Sequence, residues 1–86
     1  MGEAVFKEIG QNIVLHRRLR GINQINCAAK AGIGVGMLSK IERGIGVEKI
    51  PLATYIKIAE ALNLSFFDLL RRTEVTVKSI CVSKKK

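Results

Sequence analysis

The amino-acid sequence predicts an all-α domain of five short helices followed by an extended C-terminal segment. Three observations carry this. Apolar residues recur at helical spacing from Phe6 to about Leu70, and glycine, proline and asparagine break that pattern into short lengths. Strand-like alternation of β-branched residues is confined to 74–82. Residues 1–72 therefore read as one domain and 73–86 as an extension of it.

The first helix is expected over 6–20, with Phe6, Ile9, Ile13 and His16 on its inward stripe and a turn at Gly21. His16 falls at the margin of that stripe, its ring packed and one nitrogen turned to water or a carbonyl. Leu15 and Leu19 stand an i, i+4 step apart, almost opposite Phe6 and Ile13. A partner chain or this chain's own tail would cover such a patch, although isolated exposed leucines are also ordinary.

Asn23 is placed to cap the second helix, Gln24–Ala31, by accepting from a free backbone N–H. Ala28 and Ala31 keep its inner face small, so that a following helix can cross closely. Gly32 supplies the corner, where positive φ carries no Cβ penalty. In the third helix, Val35–Arg43, the apolar Leu38 and Ile41 point inward together with Ile33 before it. Gly34, Val35, Gly36, Met37, Ser39, Lys40 and Arg43 are left outside. That outer face is slim, polar at one edge and basic at its end.

Residues 44–50 form a loop beside the third helix, with Lys49 exposed on it. Pro51 opens the fourth helix where no amide donor is needed. Its predicted inward stripe is Leu52, Tyr55, Ile56, Ala59 and Leu62, and Asn63 ends it. Ser65 and Asp68 make a capping box for a fifth helix over 66–71. Phe66, Leu69 and Leu70 are expected inward and Phe67 outward. A lone strand over 74–82, bearing Val75 and Val77, cannot persist unpaired beside helices. It is expected to pair with a second subunit or to lie on the Leu15 and Leu19 patch, the alternative being a frayed tail. Lys84, Lys85 and Lys86 add a solvated basic end.

With 48% apolar but only 5% aromatic residues, the core must be aliphatic. At 86 residues such a core is marginal unless the helices pack well or the chain oligomerises. Fifteen Lys and Arg against seven Asp and Glu give a charge of +8, so a polyanion is the expected partner. No apolar run approaches the roughly 20 residues of a membrane span. No helix pairs a basic face with a bulky aromatic one, and the start of the chain lacks a signal-like apolar core. A cytoplasmic location without membrane association is expected. Cys27 and Cys81 lie far apart with a single histidine in the chain, too few donors for a metal site. Both are expected as reduced thiols, and no metal or cofactor is expected.

The order Gln24, Ala28, Ala31-Gly32-Ile33 and Leu38-Ser39-Lys40-Ile41-Glu42-Arg43-Gly44 resembles the helix-turn-helix of the Cro/C1 (XRE) type family, which includes phage repressors and restriction-modification controller proteins. The resemblance covers about residues 9–70 and implies a lambda-repressor-like fold that binds double-stranded DNA. It implies that Arg17 pairs with Glu42, tying the first helix to the end of the recognition helix. It also implies that Gln24, beside Asn23, bridges a phosphate and that same helix end. His16 stands where the family usually has leucine. Val35 and Gly36 stand where it often has polar residues, so Val35 is expected on a thymine methyl and Gly36 at a close backbone approach. Hydrogen-bonded readout then falls to Ser39, Lys40 and Arg43, with Gly34 and Met37 flanking and Lys49 on a phosphate. Phe67 matches a position near the two-fold contact of family dimers. With Leu15, Leu19, Val75 and Val77 it makes up the expected dimer interface.

A homodimeric, sequence-specific transcription regulator of controller or repressor type is the expected function. An antitoxin that also holds a partner protein is the alternative, and an RNA-binding or coactivator module is a further rival. An enzyme is disfavoured, because no carboxylate pair, nucleophile with a base, or phosphate-cradling glycine loop is present.

Overall fold

The computed structural model describes residues 2–70. Their regular structure is entirely helical: α1 Gly2–Leu19, α2 Gln24–Ala31, α3 Val35–Arg43, α4 Leu52–Ala61 and α5 Phe66–Leu70. The five-helix, all-α architecture is the expected one. The 72/73 boundary, the 74–82 segment with Val75 and Val77, and Cys81 lie outside the described residues.

One device ends each of the first four helices. After α2, Gly32 adopts φ +71°, its N–H donates to the Ala29 carbonyl at 3.1 Å and the Ile33 N–H donates to the Ala28 carbonyl at 3.0 Å. This pair of bonds closes the helix on a left-handed residue and satisfies carbonyls that the last turn leaves free. Gly21 and Gly44 do the same for α1 and α3, and Asn63, at φ 59°, does it for α4. Asparagine is the side chain that best tolerates this conformation after glycine. The capping box before α5 forms by its acidic half. The Ser65 N–H donates to Asp68 Oδ2 at 2.9 Å, and the Ser65 hydroxyl donates to the same oxygen at 3.1 Å.

α1 packs on α3 and α5, α2 on α3 and α4, and α4 on α5. Ile9 and Ile13 of α1 meet Leu38 and Ile41 of α3 and Ile58 and Leu62 of the α4 end in one aliphatic core. Cys27 is fully buried in it as a small apolar group. At one edge Tyr55 lies between Phe6 and Phe66, with ring centroids 6.4 Å apart on each side, joining α1, α4 and α5. The Tyr55 hydroxyl is buried without a hydrogen-bond partner among the described residues, and burial pushes its pKa up.

Three inward assignments are corrected. Leu52 is 57% exposed, and Ile56 and Leu70 are exposed as well. The buried stripe of α4 is Tyr55, Ile58, Ala59 and Leu62, at i, i+3, i+4 and i+7. Leu52 and Ile56 share the neighbouring flank, which no described element covers. α1 also differs, beginning at Gly2 rather than Phe6. Asn12 lies buried on it, donating from Nδ2 to the Leu69 carbonyl at 2.8 Å and so tying α1 to α5.

Candidate nucleic-acid interface

Helices α2 and α3 meet across a corner of two residues, Ile33 and Gly34, that follows Gly32. α2 begins with a side-chain cap, the Asn23 Oδ1 accepting from the Asn26 N–H at 2.7 Å. α3 begins with Gly34, which has no side chain to cap with, and carries no acidic residue in its first turn. Its first amides are consequently left for solvent or a ligand. Val35, Gly36 and Met37 are exposed there, and Lys40 and Arg43 are exposed farther along. Ser39 is half-buried, and Arg43 Nε lies 3.4 Å from the Ser39 carbonyl, so the guanidinium folds back along its own helix. Lys49 is exposed on the following loop.

The other end of α3 is held by side chains from α1 and α2. Glu42 accepts from Arg17 Nε at 2.8 Å through Oε2 and from Arg17 Nη2 at 3.2 Å through Oε1, a two-point contact. Gln24 Nε2 donates to the same Oε1 at 2.9 Å, and Arg17 Nη1 donates to the Ile22 carbonyl at 3.0 Å. The side chains of Arg17 and Glu42 are only 12% and 6% exposed, so the charges offset each other largely out of water. Gln24 has one amide N–H committed to Glu42, which fixes the orientation of its remaining polar atoms at the start of α2. Burial foremost, then the nearby Glu42 carboxylate, pushes the Cys27 thiol up, so it stays protonated at neutral pH.

Two backbone contacts complete the hold. A Cβ at Gly10 would stand 2.4 Å from the Ile41 carbonyl oxygen and 2.5 Å from that of Glu42. Only glycine lets α1 cross the last turn of α3 this closely. A Cβ at Gly44 would stand 2.9 Å from the Cα and the Cγ of Lys7, so α1 also lies across the C-cap of α3. Sequence reasoning passed over Gly10, Asn12 and Lys7. The signal for Gly10 was there: a glycine inside a helical apolar stripe marks a close approach of another backbone.

Leu15 is half-buried, Leu19 is 70% exposed and Phe67 is 74% exposed. Among the described residues no three His, Cys, Asp or Glu side chains are grouped to hold a metal ion. No described helix is long and apolar enough to cross a membrane.

The profile of the HTH_3 helix-turn-helix family matches residues 15–69. A search of curated protein sequences returns no match. Among solved structures, the chain is similar to the restriction-modification controller protein C.AhdI from Aeromonas hydrophila, at 26% identity and a TM-score of 0.69, covering 77% of this chain and 97% of that one. It is similar to a hypothetical transcription factor, NHTF, from Neisseria, at 24% identity and a TM-score of 0.78, covering 91% and 87%. It is also similar to an HTH_3 family transcriptional regulator from Vibrio cholerae, at 29% identity and a TM-score of 0.71, covering 80% of this chain but 38% of that one.

Proposed function

The chain belongs to the HTH_3 helix-turn-helix family of DNA-binding transcription regulators, which are not enzymes, and from that premise we propose that it is a cytoplasmic, homodimeric, sequence-specific regulator of controller or repressor type acting on a two-fold operator. The observation that carries this reading is the asymmetry of α3: its C-terminal turn is held by Arg17, Gln24 and Gly10 while its outer face is free. A helix held in this way can enter a major groove in one orientation. In each subunit Val35 meets a thymine methyl, Gly36 admits a close approach, and Ser39, Lys40 and Arg43 supply hydrogen bonds to base edges. Asn23, Gly34 and Met37 border that contact. Gln24, Arg43, Lys49 and backbone amides bind phosphates and set the register.

Two half-sites roughly 34 Å apart follow from two-fold symmetry. Six to ten phosphate contacts lower affinity by about 10³ to 10⁵ between low and moderate salt. Phe67 and Leu70 on the outer side of α5, with Leu15 and Leu19 on α1, supply apolar surface for the second subunit. In this reading Val75 and Val77 of the 73–86 extension join the same interface. Likeness to a controller protein supports the controller or repressor type.

Selection from a random duplex pool tests the proposal. One two-fold motif is expected, changed by Lys40→Ala and Ser39→Ala. Variants that select the unchanged motif would remove the assigned base readout, and a pool that yields no motif would remove sequence specificity. The exposed Leu19 and Phe67 also favour a second reading, an antitoxin that binds a partner protein there as well as DNA. Stoichiometric co-purification of one encoded partner, lost in a Leu19→Ser, Phe67→Ser variant, would establish it.

A further inference from the structure

Helix α1 has two solvent-facing flanks of different chemistry. At about 100° per residue, Lys7, Gln11, Val14 and Arg18 share one flank, and Val5, Glu8, Leu15 and Leu19 share the other. The first flank borders the recognition helix. Gly10 brings the α1 backbone onto the Ile41 and Glu42 carbonyls, and the stem of Lys7 lies on Gly44, next to Arg43. Toward the other end, Arg17 immediately precedes Arg18 and is bonded to Glu42 and to the Ile22 carbonyl, close to the start of α2 and Gln24. Lys7 and Arg18 are both exposed, and neither makes an ion pair or side-chain hydrogen bond among the described residues. From Lys7 to Arg18 the flank they share carries no acidic residue, and Glu3 stands one helical turn before Lys7.

We propose that this flank of α1 is a phosphate-binding strip for the duplex that receives α3, with Lys7 reaching the backbone beside Arg43 and Arg18 reaching it beside Gln24. The inference rests on the DNA-binding reading and extends it to an element outside the helix-turn-helix. Eleven residues of helix separate the two cations by about 16 Å. One strand presents a charge about every 3.4 Å of axis, so the strip spans several phosphates. Phosphate contacts carry no base information, so the strip contributes affinity and register rather than sequence preference. Lys7 also sits favourably near the C-terminal carbonyls of α3, an intramolecular role. Salt dependence of DNA binding separates the two, because only a contact to DNA releases counterions from it.

The test uses the full chain with Lys7→Gln, Arg18→Gln and, as a charge-matched control on the outer face of α4, Lys57→Gln. Each is titrated with its selected operator and with an unrelated duplex over a range of salt, and its thermal midpoint is measured. Lys7→Gln and Arg18→Gln are each expected to lower the slope of log affinity against log salt by about 1 and to weaken binding to both duplexes alike. Lys57→Gln is expected to leave the slope unchanged. Wild-type slopes in both α1 variants, or an equal drop in the Lys57 control, would overturn the strip while leaving the DNA-binding reading intact. A wild-type chain that binds neither duplex would remove that reading and the strip with it.

Discussion

The two ends of α3 are built by opposite means. The C-terminal turn is fastened through a two-point ion pair, a glutamine amide and two glycine-mediated backbone approaches. The first turn has a glycine cap without a side-chain hydrogen bond, a second glycine at Gly36, and open space where either Cβ would stand. Gly34 is at φ −72°, in a region open to any residue, and no φ in the left-handed range occurs at Gly36. Neither glycine is therefore required by the fold, whereas Gly10 and Gly44 are. The contrast teaches that rigidity and access are divided along one short helix. The end that sets its angle is fixed, and the end that would meet a base edge is left bare.

The largest test of the fastened end is Glu42→Ala. It strands Arg17 in a largely buried site and is expected to cost about 3–5 kcal/mol by chemical denaturation. A loss below about 1 kcal/mol would mean that the pair behaves as an exposed one and that the end is not held by it. Gly10→Ala comes next. The added methyl meets backbone oxygens that have no rotamer to escape into, and a loss of about 1–3 kcal/mol is expected despite alanine's better helix propensity. Unchanged stability there would show that α1 can retreat freely from α3.

At the bare end the sign reverses. Gly36→Ala should raise stability by about 0.5–1 kcal/mol, read as a higher thermal midpoint, while weakening operator binding. A variant that gains stability and binds as well as wild type would refute a close approach at Gly36. The smallest effect concerns pH. Burial first, and Arg20 second, hold the His16 imidazole below its ordinary value of 6.5, against an opposing pull from Asp68. The unfolded chain then takes up the proton more readily, so stability is full above about pH 6.5 and declines as pH falls from there toward the folded pKa. A His16→Gln variant should lose that slope in pH-dependent melting, and a retained slope would place its origin elsewhere.

Much of the fold was legible because helix ends depend on residues within one turn. Asn23, Gly32, Gly44 and Asn63 each act on amides and carbonyls a few positions away, and the bounds of α2 and α3 follow from them. The pairing of Arg17 with Glu42 had no such local signal, since 25 positions separate them, and only the family resemblance pointed to it. Leu52, Ile56 and Leu70 were misassigned for a related reason. A helical pattern identifies residues that share a side, but Leu52 and Ile56 border the true stripe of α4, and periodicity cannot say which of two adjoining apolar sides receives a neighbour.

Residue order therefore determined where α2 and α3 begin and end, how tight the corner at Gly32 is, and that Lys40, Arg43 and Lys49 remain in water. Tertiary packing decided which flank of α4 is covered, that Gly10 carries the crossing of α1 over α3, and that Lys7 lies on the C-cap of α3. Local conformation follows from interactions within a turn, whereas a crossing is set by backbones distant in sequence, and those leave no periodic mark on the chain.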